Sequence, residues 1–148
     1  MGFPSSHGYG SPAVPCFQPS QIVGLEHETS CLYAEVVQVI ESRQSCWVRP
    51  LMLVFWSEAT QRQNSSLATM AARYDLRHDS DLLLPLTLFR VALDVEVLPW
   101  LADLYTDDRD VADHEKKASG HQLFREFIQR VWQAHPEVFQ ATSRPKKT

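Results

Sequence analysis

The sequence predicts an α+β domain: a small antiparallel, barrel-like sheet over residues 21–85, with two or three C-terminal helices packed on it. Up to about residue 85, runs of β-branched and aromatic residues alternate with turn-forming residues. Beyond that point, apolar residues recur with helical spacing. The 148 residues, 44% hydrophobic and 22% charged, suffice for one globular domain and are too few for two ordinary ones.

The first 24 residues contain no Asp, Glu, Lys or Arg, but four of the five glycines and four of the nine prolines. Glycine and proline at this frequency interrupt regular secondary structure and predict a flexible Gly/Pro/Ser-rich arm over residues 1–20. A single domain is predicted to follow over residues 21–140. Residues 141–148 include Arg144, Lys146 and Lys147 and predict a basic frayed tail. The arm also holds scattered apolar residues that are able to dock elsewhere, namely Phe3, Tyr9, Val14 and Phe17.

Residues 32–41 and 46–56 are the strongest strand candidates, and a short polar connection between them predicts a hairpin. Strict alternation along the second strand places Trp47 and Arg49 on one face with Leu51, Leu53 and Phe55. Pro50 removes one backbone donor from this strand. We therefore expect a sheet edge or a bulge at that point.

A long polar loop is predicted over residues 57–72. Residues 73–77 and 81–85 then predict two short strands around a tight turn. With a further strand at residues 21–25, the count reaches about five short strands, a number that suits a small curled sheet or barrel.

Asp94 is positioned to cap a helix over residues 95–105, in which Pro99 is tolerated only in the first turn. A second helix begins at a capping box formed by Ser119 and Gln122, and Pro136 ends it. Its apolar stripe consists of Leu123, Phe124, Phe127, Ile128, Val131 and Trp132.

The sequence contains no recognisable catalytic or cofactor-binding motif. We therefore predict no enzyme, no catalytic residue and no cofactor. Residues 107–115 are acidic but lack the glycine that a calcium loop needs, so no metal site is predicted. Three cysteines without a C-x-x-C pair favour a reducing cytoplasm, and no apolar run is long enough for a membrane span.

The predicted hairpin also carries aromatic and basic residues close together. Tyr33, Trp47, Arg43 and Arg49 would suit the stacking of single-stranded RNA or DNA bases on a curved sheet. In the alternative interpretation, the aromatic rings are core and the arginines pair with acidic residues across the hairpin. The net charge of −4 favours this alternative.

A second candidate surface lies between the predicted strands and helices. Leu82, Leu84, Leu86 and Phe89 form an apolar patch whose rim includes Arg90, which would suit a protein partner. Alternatively, the charges around it form only local ion pairs. The sequence alone does not separate these two interpretations.

Two blocks of the sequence, LYAEVVQVIESRQSCWVRPLMLV and YDLRHDSDLLLPLTLFRVALDVEVLPWL, resemble a family of small uncharacterised proteins from cyanobacteria. The resemblance covers about residues 25–105 and, more loosely, the C-terminal helix. It implies a cyanobacterial cytoplasm and a link to photosynthetic complexes, and it transfers no functional residue. Together with the absent motifs, it predicts a non-catalytic protein-interaction or assembly module, with single-stranded nucleic-acid binding as the alternative.

Overall fold

The computed structural model describes residues 16–56, 70–106 and 114–143. It confirms the α+β class, with an antiparallel sheet and three helices in this part of the chain. Short 3-10 turns lie at Glu41–Arg43 and Leu86–Leu88. The strands and helices in chain order are β1 Ile22–His27, β2 Ser30–Ile40, β3 Ser45–Trp56, β4 Met70–Asp75, β5 Leu82–Pro85, β6 Arg90–Val91, α1 Asp94–Thr106, α2 His114–Ala134 and α3 Pro136–Ser143.

The strand order is β4-β3-β2-β1-β6, and β5 also pairs with β3. The prediction of a barrel-like sheet was wrong, because the described strands form an open sheet with β6 at one edge and β4 and β5 at the other. Strands β4 and β5 are the two short strands predicted around a tight turn. They pair with the second and first halves of β3, respectively, rather than with each other.

Pro50 lies at an irregularity in β3, as predicted. Ala34 is paired with Pro50 while Tyr33 is paired with Met52, so Leu51 is an extra residue in the ladder. The extra residue reverses the alternation beyond it. Trp47 and Arg49 therefore share a face with Met52 and its alternate neighbours, and the predicted grouping with Leu53 and Phe55 was wrong.

The sheet is covered on both faces. One core contains Tyr33 and Met52 of the sheet and the buried side of α1, formed by Val97, Trp100 and Leu104. The other core contains alternate residues of β1, β2 and β3 and the buried side of α2, formed by Phe124, Phe127 and Val131. Phe139 of α3 packs against this second core, so α1 lies on one side of the sheet and α2 with α3 on the other.

Helix α1 begins at Asp94 as predicted, but Pro99 lies beyond its first turn. Helix α2 begins at His114, so Ser119 lies inside the helix and its predicted capping role was wrong. The residues before Ser119 are good helix formers, which explains the earlier start. Helix α2 ends at Ala134, just before Pro136, as predicted, and Pro136 is the first residue of α3.

Within the described residues, the N-terminal segment starts at Cys16, and Phe17 is buried in the core beneath α2. The predicted loop lies outside these residues except for its last three, which belong to β4. Most of the acidic stretch, residues 107–113, also lies outside them. Among the described helices, none is both long enough and apolar enough to cross a bilayer.

Candidate functional site

A partly buried ion-pair network joins the sheet to α1. Arg90 of β6 makes a bidentate contact with Glu96 of α1, at 3.0 Å through Nη1 and 2.6 Å through Nη2. Its Nε and Nη2 also donate to Glu26 Oε2 of β1, at 2.9 and 2.6 Å. One guanidinium thus holds two carboxylates from separate elements, a geometry that fixes the position of α1 against the sheet edge.

Glu96 has two further partners. Tyr33 donates its hydroxyl to Oε2, and the backbone N–H of Leu93 donates to Oε1 at 3.3 Å, which satisfies one orphan donor at the start of α1. Burial disfavours the Glu96 carboxylate, but the hydrogen bonds from Arg90 and Tyr33 outweigh it and lower its pKa. The hydrogen bond to Glu96 in turn raises the pKa of Arg90.

Gly24 lies beside this network and leaves space for the Cys31 thiol. A Cβ at Gly24 would lie 3.2 Å from Cys31 Sγ and 3.6 Å from Arg90 Cζ. Burial raises the pKa of the Cys31 thiol to about 12, so it is protonated at neutral pH and is no nucleophile. The network has the features of a structural clamp, and a glycine inside β1 was the one sequence signal for such a close approach.

The predicted hairpin surface is only partly assembled. Tyr33 is fully buried under α1, so it offers no platform for a ligand. Trp47 is 38% exposed, and its indole Nε1 donates to Asp81 at 3.0 Å. Arg49 pairs with the same carboxylate at 3.3 Å, while Arg43 lies in the exposed hairpin connection. Trp47 and Arg49 therefore lie together on one acidic partner, which offsets the charge of Arg49, whereas Tyr33 lies apart from them under α1.

The second predicted surface is mostly core. Leu84, Leu86 and Phe89 are buried beneath α2 and α3, and Leu82 is half-buried. Arg90 belongs to the ion-pair network rather than to the rim of a patch. The exposed leucine of this segment is Leu83, paired with Trp47 across β5 and β3, and sequence reasoning did not single it out.

A larger apolar surface, which sequence reasoning missed, lies on the solvent side of α1. We define the α1 outer face as Leu93, Val95, Leu98 and Tyr105, all of them exposed. Val95 is 81% exposed and Leu98 is 56% exposed. Val95, Leu98 and Tyr105 recur with helical spacing on the side of α1 opposite Val97, Trp100 and Leu104, so two apolar stripes run along one helix. Leu93 directly precedes the helix. Those two stripes were the available sequence signal.

A smaller exposed aromatic surface lies on the opposite side of the sheet. Trp132 of α2 is 58% exposed and stacks on Phe139 of α3, with ring centroids 5.5 Å apart. Arg125, also exposed, precedes Trp132 by seven residues and so lies on the same side of α2, about 10 Å away. We call Arg125, Trp132 and Phe139 the Trp132 surface.

No group of three His, Cys, Asp or Glu residues in the described part of the chain is arranged to hold a metal ion. His121 and Asp79 lie 2.9 Å apart, and their contact joins α2, two turns after its first residue, to the turn after β4. This contact links two elements of the fold.

Comparisons with models of known protein families, with curated proteins and with solved structures each found no match. A function for this chain therefore has to be inferred from its own surfaces and contacts.

Proposed function

We propose that this protein is a non-catalytic interaction module that binds a protein partner through the α1 outer face. The observation that carries the proposal is a helix with apolar residues on two sides, of which the sheet covers only one. A helix that is apolar all round is normally buried all round. Leu93, Val95 and Leu98 remain in water in the isolated chain, so a covering surface is expected.

The contacts that attach α1 to the sheet support this proposal. Glu96 joins the first turn of α1 to Tyr33 of β2 and to Arg90 of β6, which also binds Glu26 of β1. Asp103 pairs with Arg73 of β4 at 2.9 Å near the other end of the helix. Held at both ends, the helix presents its outer face without having to order on binding, which reduces the entropic cost of association.

Single-stranded nucleic-acid binding through the hairpin is the weaker proposal. Stacking needs exposed aromatic rings with free cations beside them. Of the residues predicted for it, Tyr33 is buried and Arg49 is paired with Asp81. Trp47 and Arg43 alone make a small site in a chain of net charge −4.

The test is affinity capture with the tagged protein from a cyanobacterial lysate, the setting that the resemblance implies, with and without nuclease. Leu98→Asp places a charge in the α1 outer face, and Leu83→Asp makes the same change at an exposed leucine of β5. We expect the wild type and Leu83→Asp to retain a stoichiometric protein partner after nuclease treatment, and Leu98→Asp to lose it. Loss with Leu83→Asp alone would move the interface to Trp47 and Leu83. Recovery that depends on intact RNA would support the nucleic-acid alternative.

A further inference from the structure

The exposed side of α1 is a continuous stripe without acidic or basic residues. Val95, Leu98 and Tyr105 of the α1 outer face lie on it. Pro99 and Ala102, which are also exposed, lie between Leu98 and Tyr105. Positions 95, 98, 102 and 105 are three or four residues apart, which places them on one side of the helix. The stripe therefore runs along the whole length of α1.

The charged residues of α1 leave this stripe free of charge. They are Asp94, Glu96 and Asp103. Glu96 contacts Arg90, and Asp103 contacts Arg73, both within the same chain. The remaining one, Asp94, is exposed at the N-terminal end of the helix. A surface of this kind selects its partner by shape rather than by charge.

The sizes of the side chains along the stripe make it complementary to itself. The helix runs from residue 94 to residue 106, so its midpoint is residue 100. Leu98 and Ala102 lie two residues to either side of that midpoint, and Val95 and Tyr105 lie five residues to either side. When two copies of α1 pack antiparallel about their midpoints, each Leu98 meets Ala102 of the other copy, and each Val95 meets Tyr105. A large side chain then faces a small one at both central contacts, the arrangement in which helix surfaces interdigitate.

We propose that this chain forms a symmetric dimer in which the α1 outer faces of two copies pack antiparallel against each other. This inference rests on the proposed function, since it names the partner of the α1 outer face. A two-fold axis gives each copy the same contacts, so that residue 98 of either copy meets residue 102 of the other. The symmetry also closes the assembly at two chains.

The position of Asp94 favours the antiparallel direction. Parallel packing would place the Asp94 carboxylates of the two copies side by side. Antiparallel packing separates them by about 20 Å, the length of α1, and opposes the two helix dipoles. Each Asp94 then lies at the Tyr105 end of the other helix, where Arg77 is 4.7 Å from the ring centre. Asp75 also binds that guanidinium, so this contact adds little to the apolar one.

The area of the stripe predicts a weak dimer. Covering Leu93, Val95, Leu98, Pro99, Ala102 and Tyr105 removes roughly 500 Å² per copy from water, or about 1,000 Å² in total. This total is at the low end for a specific interface, and we expect a Kd of about 10–100 μM. Sedimentation velocity or light scattering of the purified chain measures it. With rising concentration, the mean mass should increase from the 16.9 kDa of one chain toward that of two chains and no further.

Variants of the two central residues test the pairing. Leu98→Asp and Ala102→Lys should each weaken self-association at least about tenfold, because each places two charges in the apolar contact. An equal mixture of the two variants should dimerise more tightly than either variant alone. In the mixed dimer, one central contact joins Asp to Lys and the other keeps leucine against alanine.

Two further variants are controls for this experiment. Leu83→Asp in β5 and Trp132→Glu in the Trp132 surface also introduce a charge at an exposed apolar residue, but neither lies on α1. Both should dimerise like the wild type. Circular dichroism shows whether each variant is folded.

The possible outcomes distinguish this inference from the proposed function. Self-association that Trp132→Glu removes and Leu98→Asp leaves intact would overturn the dimer through α1. A mixture that dimerises no more tightly than its components would overturn the antiparallel pairing. A wild type that stays monomeric up to about 1 mM would overturn the inference as a whole. In that case the proposed function survives if Leu98→Asp still abolishes capture of another protein from the lysate, and fails if capture is unchanged.

Discussion

The hydroxyl of Tyr33 donates a hydrogen bond of 2.5 Å to Glu96 Oε2, joining the first half of β2 to the first turn of α1. Tyr33→Phe keeps the ring in its core and removes only the donor. We expect the free energy of unfolding to fall by about 1–2 kcal/mol, because a partly buried carboxylate loses one partner while Arg90 remains. Urea unfolding followed by tryptophan fluorescence measures the change.

Tyr105→Phe is the matched control for Tyr33→Phe. The Tyr105 side chain is 54% exposed, and its ring lies beside Arg77, which the substitution leaves in place. We expect a change within about 0.5 kcal/mol. Equal losses for both variants would show that the hydrogen bond between Tyr33 and Glu96 contributes nothing specific.

The ion-pair network predicts a specific acid sensitivity. The pKa of Glu96 is lowered from its ordinary value of 4.5, because hydrogen bonds from Arg90 and Tyr33 outweigh the effect of burial. The folded protein therefore binds fewer protons at this group than the unfolded chain does. The stability that Glu96 contributes is fully present above pH 4.5 and is lost as the pH falls through the lower, folded-state pKa.

Glu96→Gln tests that sensitivity. At neutral pH we expect it to cost about 2 kcal/mol, because Arg90 and Tyr33 lose a charged acceptor. Measured between about pH 3 and pH 7, the variant should lose less of its remaining stability on acidification than the wild type does. Glu41→Gln, at an exposed carboxylate of the hairpin connection, should keep the wild-type dependence. If the free energy of unfolding depends on pH in the same way for wild type and Glu96→Gln, Glu96 is not the source of the acid sensitivity.

The irregularity at Pro50 in β3 shows how much of this fold the sequence pattern predicts. Pro50 predicted an irregularity in β3, and the irregularity is there. The pattern does not show that the extra residue is Leu51, and a shift of one residue exchanges every face beyond it. That local uncertainty is enough to place Leu53 and Phe55 on the wrong side of the sheet.

The candidate surfaces were harder to predict for a different reason. Both faces of β2 and β3 are apolar, so alternation does not show which part of a face a helix covers. Tyr33 lies under α1, whereas Trp47, on the same face, lies beyond it and stays exposed. The contact between Arg90 and Glu96, which joins α1 to the sheet, leaves no periodic signal in the sequence.

Close packing at Gly24 yields a further prediction. A Cβ at this position would lie 3.2 Å from Cys31 Sγ and 3.6 Å from Tyr33 Cε1, and both side chains are fully buried. Gly24→Ala should therefore destabilise the fold by about 1–2 kcal/mol, although alanine is otherwise preferred to glycine in a strand interior. Urea unfolding measures the loss.

The combination of Gly24→Ala with Cys31→Ala shows whether the contact with Cys31 causes the loss of stability. Removing Sγ removes the nearest atom, so Gly24→Ala should cost less in a Cys31→Ala background than in the wild type. If the two changes are simply additive, the loss comes from the strand backbone or from Arg90 rather than from the contact with Cys31.

The three cysteines should differ sharply in reactivity. Cys16 is exposed, whereas burial raises the pKa of Cys31 to about 12 and that of Cys46 to about 11. Because the thiolate is the reactive form, we expect a disulfide reagent at neutral pH to modify one thiol rapidly in the folded protein and three after unfolding. Cys16→Ser should abolish the rapid phase. A second rapidly modified thiol in the folded protein would mean that the core around Cys31 or Cys46 opens readily to solvent. If that thiol were Cys31, the result would contradict a rigid attachment of α1 to the sheet.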